Sequence, residues 1–152
     1  MDLFSLTFPV KQLEHGKDLP LPNYATPEAA GLDLYAAVEG DTVLAAGEWT
    51  LIPTGIAIAL PKGYEAQVRP RSGLAFKHGI TILNAPGTID SDYRGEIKVM
   101  LMNVSKADFT IERGMRIGQM VLATVTHAEL TPRTELPESD RGEGGFGSTG
   151  TK

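Results

Sequence analysis

The chain has 152 residues, a formal net charge of −5, 41% hydrophobic and 22% charged residues, and no cysteine. These values predict one globular domain with its own core, and they exclude disulfides and thiolate metal sites. The acidic balance argues against general nucleic-acid binding, although a few local arginines can still bind one nucleotide.

The predicted elements are almost all strands. Seventeen glycines and ten prolines favour many turns. The alternation of Leu6, Phe8 and Val10 predicts a first strand, and Ser72 to His78 is the one plausible short helix. Short runs between turn residues predict further strands over 32–38, 48–52, 55–60, 64–69, 80–83, 96–104, 109–112 and 116–125. The pattern is typical of an all-β sandwich or barrel such as a jelly roll.

Two of these strands are apolar on both faces, residues 99–102 and residues 117–125 around Gln119. An outer strand of a small sandwich should expose one face to water. Such strands are therefore either central in a sheet or part of an oligomer interface, and we favour the interface.

The composition changes at Thr131. The last 22 residues contain prolines, acids, five glycines between Gly142 and Gly150, and one aromatic residue. We therefore expect a β domain over residues 1–130 and a flexible C-terminal tail over residues 131–152.

The segment Arg69-Pro70-Arg71-Ser72-Gly73 precedes the predicted helix. Arg71 can bind phosphate oxygens, Ser72 can donate to another, and the amides at a helix start favour anions. The alternative is that Ser72 simply caps the helix beside solvated arginines.

The segment from Asn84 to Gly95, NAPGTIDSDYRG, combines a turn with acids and a tyrosine. Asn84 before Pro-Gly suggests a hairpin whose amide and backbone groups can read a pyrimidine edge. Asp90 follows the apolar Ile89, so it is expected where the chain leaves the sheet, and there a carboxylate can accept a proton from water. For Asp92 an acid-rich turn is the simpler interpretation, and for Asp90 the spacing alone does not decide between such a turn and a catalytic carboxylate. Tyr93 offers a ring to pack against a sugar.

Two further features are ambiguous. Gln119 lies in an apolar strand and must be satisfied either by protein or by a ligand. The tail formally contains G-x-G-x-x-G at Gly142, Gly144 and Gly147, but no strand precedes it and too few residues follow it for a dinucleotide-binding unit. The tail is either a disordered terminus or a phosphate- and base-binding segment.

The remaining features bear on metals and location. The histidines, His15, His78 and His127, are too far apart to suggest a caged transition metal, so a hard cation carried by a phosphate substrate is expected. The N-terminal segment contains Asp2 and no long apolar stretch, which predicts neither a signal peptide nor a membrane span. We expect a cytoplasmic protein.

Read in order, five segments resemble the five motifs of the trimeric dUTP pyrophosphatases. They are AGLDLYAA, RPRSGLA, NAPGTIDSDYRGEI, RIGQMV and RGEGGFGSTG, and they extend from Ala30 to Gly150. The resemblance implies a jelly-roll-like β-clip fold, a homotrimer with shared active sites, and Mg²⁺-dependent hydrolysis of dUTP to dUMP and pyrophosphate. That reaction would remove dUTP from the nucleotide pool and supply dUMP for thymidylate synthesis. Gly118 stands where many relatives have alanine.

The resemblance also implies residue roles. Asp90 is the general base for water attack on the α-phosphorus, and Tyr93 excludes a ribose 2′-hydroxyl. Asp33 touches the water shell of Mg²⁺, which the phosphates mainly hold. The remaining substrate-binding positions fall into four groups: uracil readers Asn84, Thr88 and Ile89; phosphate ligands Arg71, Ser72, Gly73 and Gln119; Lys98 in general substrate binding; and the tail residues Arg141, Phe146, Gly147 and Ser148.

Two rival functions differ in what they predict. A dCTP deaminase of the same superfamily, or its bifunctional relative, would release ammonia from dCTP. A non-catalytic β-sandwich module or nucleotide sensor would bind dUTP without turnover and would leave the order of Arg71, Asp90 and Phe146 unexplained.

Overall fold

The structure is a computed structural model that describes residues 5–151. It contains twelve strands and one α-helix in the described residues. The strands are β1 Val10–Gln12, β2 Asn23–Tyr24, β3 Gly31–Tyr35, β4 Thr42–Leu44, β5 Trp49–Pro53, β6 Ile56–Ile58, β7 Tyr64–Arg69, β8 Ile80–Ile82, β9 Gly87–Ile89, β10 Lys98–Asn103, β11 Phe109–Ile111 and β12 Arg116–Thr124. Helix α1 is Ser72–His78, and a single 3-10 turn covers Glu14–Gly16.

The strands form two larger and two smaller antiparallel sheets. The five-stranded sheet has the order β2-β3-β12-β7-β9, and the three-stranded sheet has the order β5-β10-β8. The pairs β1-β6 and β4-β11 complete the set. This arrangement confirms the predicted all-β, jelly-roll-like fold.

The core lies between the two larger sheets. Gly118 of β12 faces Ile82 of β8 and Val99 of β10, and a Cβ at Gly118 would lie 3.4 and 3.6 Å from their side chains. Apolar residues of both sheets are almost fully buried there, among them Leu34, Ile52, Val68, Leu101 and Met120. Burial of this apolar area is the main stabilising contribution to the fold.

Both doubly apolar runs lie on central strands, β10 between β5 and β8, and β12 between β3 and β7. A central position is one of the two alternatives that the sequence left open. In β10, Val99 and Leu101 face the core, while Met100 and Met102 are half-buried on the other face.

Several predicted boundaries were wrong. Leu6 and Phe8 precede β1 and are not in a strand. The strand predicted over 32–38 ends at Tyr35, because Ala36 N–H turns to the carbonyl of Met115 and Ala37 N–H to that of Pro53. The short strands β2, β4 and β9 were not predicted.

The chain between β8 and β9 is not the hairpin expected around Asn84. Strand β8 pairs with β10 and β9 pairs with β7, so residues 83–86 carry the chain from one sheet to the other. This crossing places Asn84 at the junction of the two sheets.

The chain after β12 contains no strand or helix up to residue 151. Residues 131–143 are exposed, and Lys152 lies outside the described residues. Among the described residues, no helix has the length and apolar character needed to span a membrane.

Candidate active site

Asp33 and two arginines form a compact basic cluster at one end of the five-stranded sheet. Asp33 is 8% exposed. Its Oδ1 lies 3.6 Å from Arg71 Nε and its Oδ2 lies 3.3 Å from Arg116 Nη1. Arg71 also donates to the backbone carbonyl of Arg116 at 3.1 Å. Two cations share one carboxylate, so the basic cluster keeps a net positive charge that favours an anionic ligand.

Gln119 lies beside the basic cluster because β12 places it opposite Asp33 on β3. Its Nε2 donates to the carbonyl of Pro70 at 3.0 Å, so protein satisfies part of this amide. A Cβ on Gly31 would lie 2.2 Å from Gln119 Oε1, so glycine at position 31 provides the space for the amide.

Helix α1 begins at Ser72, with Arg71 at the N-cap position and no side-chain cap. The interpretation of Ser72 as the capping residue is therefore wrong. The extended backbone of Arg71 (φ −89°, ψ 129°) brings its side chain toward Asp33, while Ser72 and Gly73 are exposed in the first turn.

The residues predicted from the segment 84–98 line one cavity of about 330 Å³. It lies where β9, the following turn and the start of β10 meet. Six of its lining residues were predicted to bind substrate: Asn84, Thr88, Ile89, Asp90, Tyr93 and Lys98.

Asp90 lies just after β9, where the chain leaves the sheet, as expected. Its backbone carbonyl accepts a hydrogen bond from Tyr93 N–H at 3.1 Å, which closes the turn. Its side chain is exposed, and the hydrogen bonds and ion pairs of the described residues do not engage its carboxylate. The carboxylate is therefore available to bind a water molecule.

Tyr93 is held in place by its neighbours in the same turn. Its hydroxyl donates to the carbonyl of Glu96 at 2.9 Å. A Cβ on Gly95 would lie 2.4 Å from the hydroxyl oxygen and 2.6 Å from Cζ, so the ring rests directly on Gly95.

Arg71, Ser72 and Gln119 are not among the residues that line this cavity. The tail residues also stay apart: Arg141 Nε donates to Gly144 O at 2.7 Å, and Phe146 is fully exposed. One chain therefore presents three separate groups of predicted site residues, namely the basic cluster with its neighbours, the cavity and the tail.

The described chain matches a protein-family model described as dUTPase over residues 17–150. The chain belongs to the dUTPase family. Its activity is the hydrolysis of dUTP to dUMP and pyrophosphate, and like other dUTPases it uses Mg²⁺.

Solved dUTPase structures have the same fold. The dUTPase of Staphylococcus bacteriophage 80alpha, solved with dUpNHpp, is 28% identical with a TM-score of 0.86, covering 97% of this chain and 100% of that one. A mutant of the same phage enzyme with dUpNHpp is 27% identical with a TM-score of 0.87 and the same coverage. A mutant dUTPase from phage phi11 of S. aureus, described with a structural Mg(II) ion, is 23% identical with a TM-score of 0.77, covering 88% and 100%. The last comparison shows the fold alone.

Arg116 was not singled out from the sequence. Strict alternation along a strand would place it on the face opposite to Gln119, three positions away. The structure has a register shift between Arg116 and Gly118, and this bulge turns Arg116 toward Asp33.

Proposed function

We propose that Asp90 is the general base of this dUTPase and activates the water that attacks the α-phosphorus. The observation that carries the proposal is the exposed carboxylate of Asp90, which no other described residue engages, in the cavity shared with Asn84 and Tyr93. A positioned base typically contributes about 10²–10⁴-fold in rate. Attack at the α-phosphorus releases pyrophosphate, which is the leaving group that this activity requires.

The cavity is the proposed nucleoside site. The Asn84 amide and the backbone of Thr88 and Ile89 would read uracil, because cytosine and thymine would leave polar groups unpaired or clash. Tyr93 would pack under the deoxyribose and exclude a 2′-hydroxyl. Lys98, exposed at the start of β10 and lining the cavity, would attract the negatively charged substrate.

The basic cluster is the proposed triphosphate site, with Arg71, Ser72, Gly73 and Gln119 as ligands. Among the described residues, no group of three or more His, Asp or Glu side chains could hold a metal ion. The residues present fit an Mg²⁺ ion that the substrate phosphates would hold. The Asp33 carboxylate would accept hydrogen bonds from water bound to that ion. An Mg²⁺ ion bound there would neutralise phosphate charge and so make pyrophosphate a better leaving group.

We infer that the active unit is a homotrimer. On the outer face of the three-stranded sheet, Met100 pairs with Leu51 and Met102 with Trp49. Leu51 is 53% and Trp49 56% exposed, and a contiguous apolar face of this kind favours a protein interface. Assembly would also bring the cavity of one chain to the basic cluster of a second and to the tail of a third.

The tail would close over the filled site. Arg141 and Ser148 would bind the terminal phosphate, and Phe146, followed by Gly147, would cover the uracil. Turns already join Ser139 to Gly142 and Gly145 to Ser148. The tail therefore has fewer conformations to sample before it reaches this closed form. Closure would exclude bulk water from the phosphates.

Mixed trimers test the shared site. One variant carries Asp90→Asn with an intact tail, and the other ends at Asp140 with Asp90 intact. Each variant alone should be nearly inactive. Trimers refolded from an equal mixture should regain about a quarter of wild-type activity, because each site needs one intact contribution from each of two chains. No recovery in trimers confirmed as mixed would overturn the shared-site proposal.

In the cell, the reaction would lower the dUTP pool and supply dUMP for thymidylate synthesis. The cytoplasmic location expected from the sequence stays a prediction.

A further inference from the structure

A hydrogen-bonded pair that was not among the predicted site residues lies at the cavity, because Glu96 is one of the residues that line it. His15 Nε2 and Glu96 Oε2 are 2.7 Å apart, although 81 positions separate them in the chain. The Glu96 side chain is 14% exposed and that of His15 34% exposed. Glu96 Oε2 also accepts the backbone N–H of Gly55 at 3.1 Å. With Glu96 ionised, His15 donates from Nε2.

Glu96 connects this hydrogen bond to Tyr93. The side chain of Glu96 is tied to His15 and Gly55, while its backbone carbonyl accepts the hydroxyl proton of Tyr93 at 2.9 Å. The next residue is also fixed, since Ile97 N–H donates to the carbonyl of Ile56 at 2.8 Å. The position of the Tyr93 ring therefore depends on how firmly Glu96 is held.

The 3-10 turn that carries His15 is itself anchored on two sides. On one side Gly16 packs against Gly55 so closely that a Cβ on Gly16 would lie 2.7 Å from Gly55 Cα. On the other side Arg113 donates to the carbonyl of His15 at 2.8 Å and to that of Val38 at 3.0 Å, and forms an ion pair with Asp18. His15 is thus a fixed point against which Glu96 can be held.

We propose that His15 and Glu96 are positioning residues that set the discrimination between deoxyribose and ribose by fixing Tyr93. The inference rests on the proposed contact of Tyr93 with the sugar. A ring that excludes one hydroxyl must be placed to a fraction of an ångström, because a 1 Å error in positioning can cost about 10²-fold in rate. Removing the His15–Glu96 hydrogen bond removes one of the restraints on the Glu96–Ile97 peptide group, so the Glu96 carbonyl and the Tyr93 ring can shift together.

The test compares kcat/KM for dUTP with kcat/KM for UTP, with Mg²⁺, well below the unfolding temperature of every variant. Glu96→Ala and His15→Leu should each lower the dUTP-to-UTP ratio by about tenfold, chiefly by admitting UTP. Glu96→Gln and His15→Gln keep an acceptor and a donor respectively, and should retain most of the ratio. The double variant should have a dUTP-to-UTP ratio no lower than that of the less selective single variant, because both substitutions remove the same contact.

Two controls separate positioning from general destabilisation. Lys17→Ala changes an exposed residue next to the same 3-10 turn and should leave the ratio unchanged. Ile111→Val weakens the core in β11, away from the cavity, and should lower the melting temperature without changing the ratio.

The outcomes are distinguishable. If Glu96→Ala and His15→Leu change both substrates by the same factor, or neither, while Tyr93→Ala lowers the ratio, the inference fails and the sugar contact stands. If Tyr93→Ala leaves the ratio unchanged, the proposed sugar contact fails and this inference fails with it.

Discussion

Replacing Gly95 with alanine would perturb the proposed sugar site through one methyl group. The backbone of Gly95 needs no glycine-specific conformation, since Gly95 is not among the positive-φ glycines. The added Cβ would lie 2.4 Å from the Tyr93 hydroxyl oxygen, 2.6 Å from Cζ and 2.9 Å from Cε1. The three atoms nearest to the added Cβ therefore all belong to the tyrosine side chain.

The size of the displacement follows from these distances. Ordinary contact for a Cβ atom begins at 3.4 Å, so the ring must retreat by about 1 Å. The 2.9 Å hydrogen bond from Tyr93 to Glu96 would then be stretched beyond hydrogen-bonding range. Losing it should cost about 1 kcal/mol of stability, since the hydroxyl can turn to water. A 1 Å displacement at the sugar should cost about 10²-fold in kcat/KM, or about 2.7 kcal/mol of transition-state stabilisation.

Steady-state kinetics with dUTP and UTP, together with thermal unfolding, would measure both effects. The expected result is a large loss of kcat/KM for dUTP, a smaller dUTP-to-UTP ratio, and a fall in melting temperature of only about 2–4 °C. Unchanged kinetics in Gly95→Ala would refute the argument that Gly95 supports the ring. A loss of activity that merely follows unfolding would refute it as well.

Three further predictions address the tail, the core and acid stability. Ending the chain at Asp140 should reduce dUTP turnover steeply, while the melting temperature stays within about 2 °C, because the removed residues contribute little to the core; a collapsed melting temperature would contradict this. Gly118→Ala should raise the free energy of unfolding by about 0.4–1 kcal/mol in urea titrations, since the new Cβ meets only ordinary contacts of 3.4 Å and longer; destabilisation would contradict it. The side-chain hydrogen bond from Arg113 holds the pKa of Asp18 below its usual value. Because that favours the ionised form in the folded chain, the stabilisation is complete above the ordinary aspartate pKa of about 3.9 and is lost as pH falls through the lowered value. Asp18→Asn should therefore have a lower melting temperature than wild type near neutral pH, and this difference in melting temperature should vanish in strong acid. A difference that persists in strong acid would contradict this mechanism.

Local signals in the sequence were sufficient for some elements. Strand β7 and helix α1 have the predicted bounds, because Gly63, Pro70 and Gly79 interrupt the chain at their ends. Gly79 has φ 65°, which ends the helix in the left-handed conformation that glycine favours. Strands β4 and β9, each three residues long, were missed.

The site residues also divide into those that the sequence indicated and those that it did not. The motif order indicated which residues line the cavity, because Asn84, Asp90, Tyr93 and Lys98 lie within one short stretch of chain. The register shift that turns Arg116 toward Asp33 leaves no local signal in the sequence. The contact between His15 and Glu96 depends on the close packing of Gly16 on Gly55, which only the folded chain brings about.

The most direct test of the central claim is pyrophosphate release from dUTP with Mg²⁺, measured side by side for the full chain and for Asp90→Asn. The account predicts turnover by the full chain, loss of turnover by about 10²–10⁴-fold in the variant, and retained dUTP binding by calorimetry, since only the base is changed. An Asp90→Asn protein that binds dUTP and still releases pyrophosphate at the wild-type rate would contradict the assignment of Asp90 as the base.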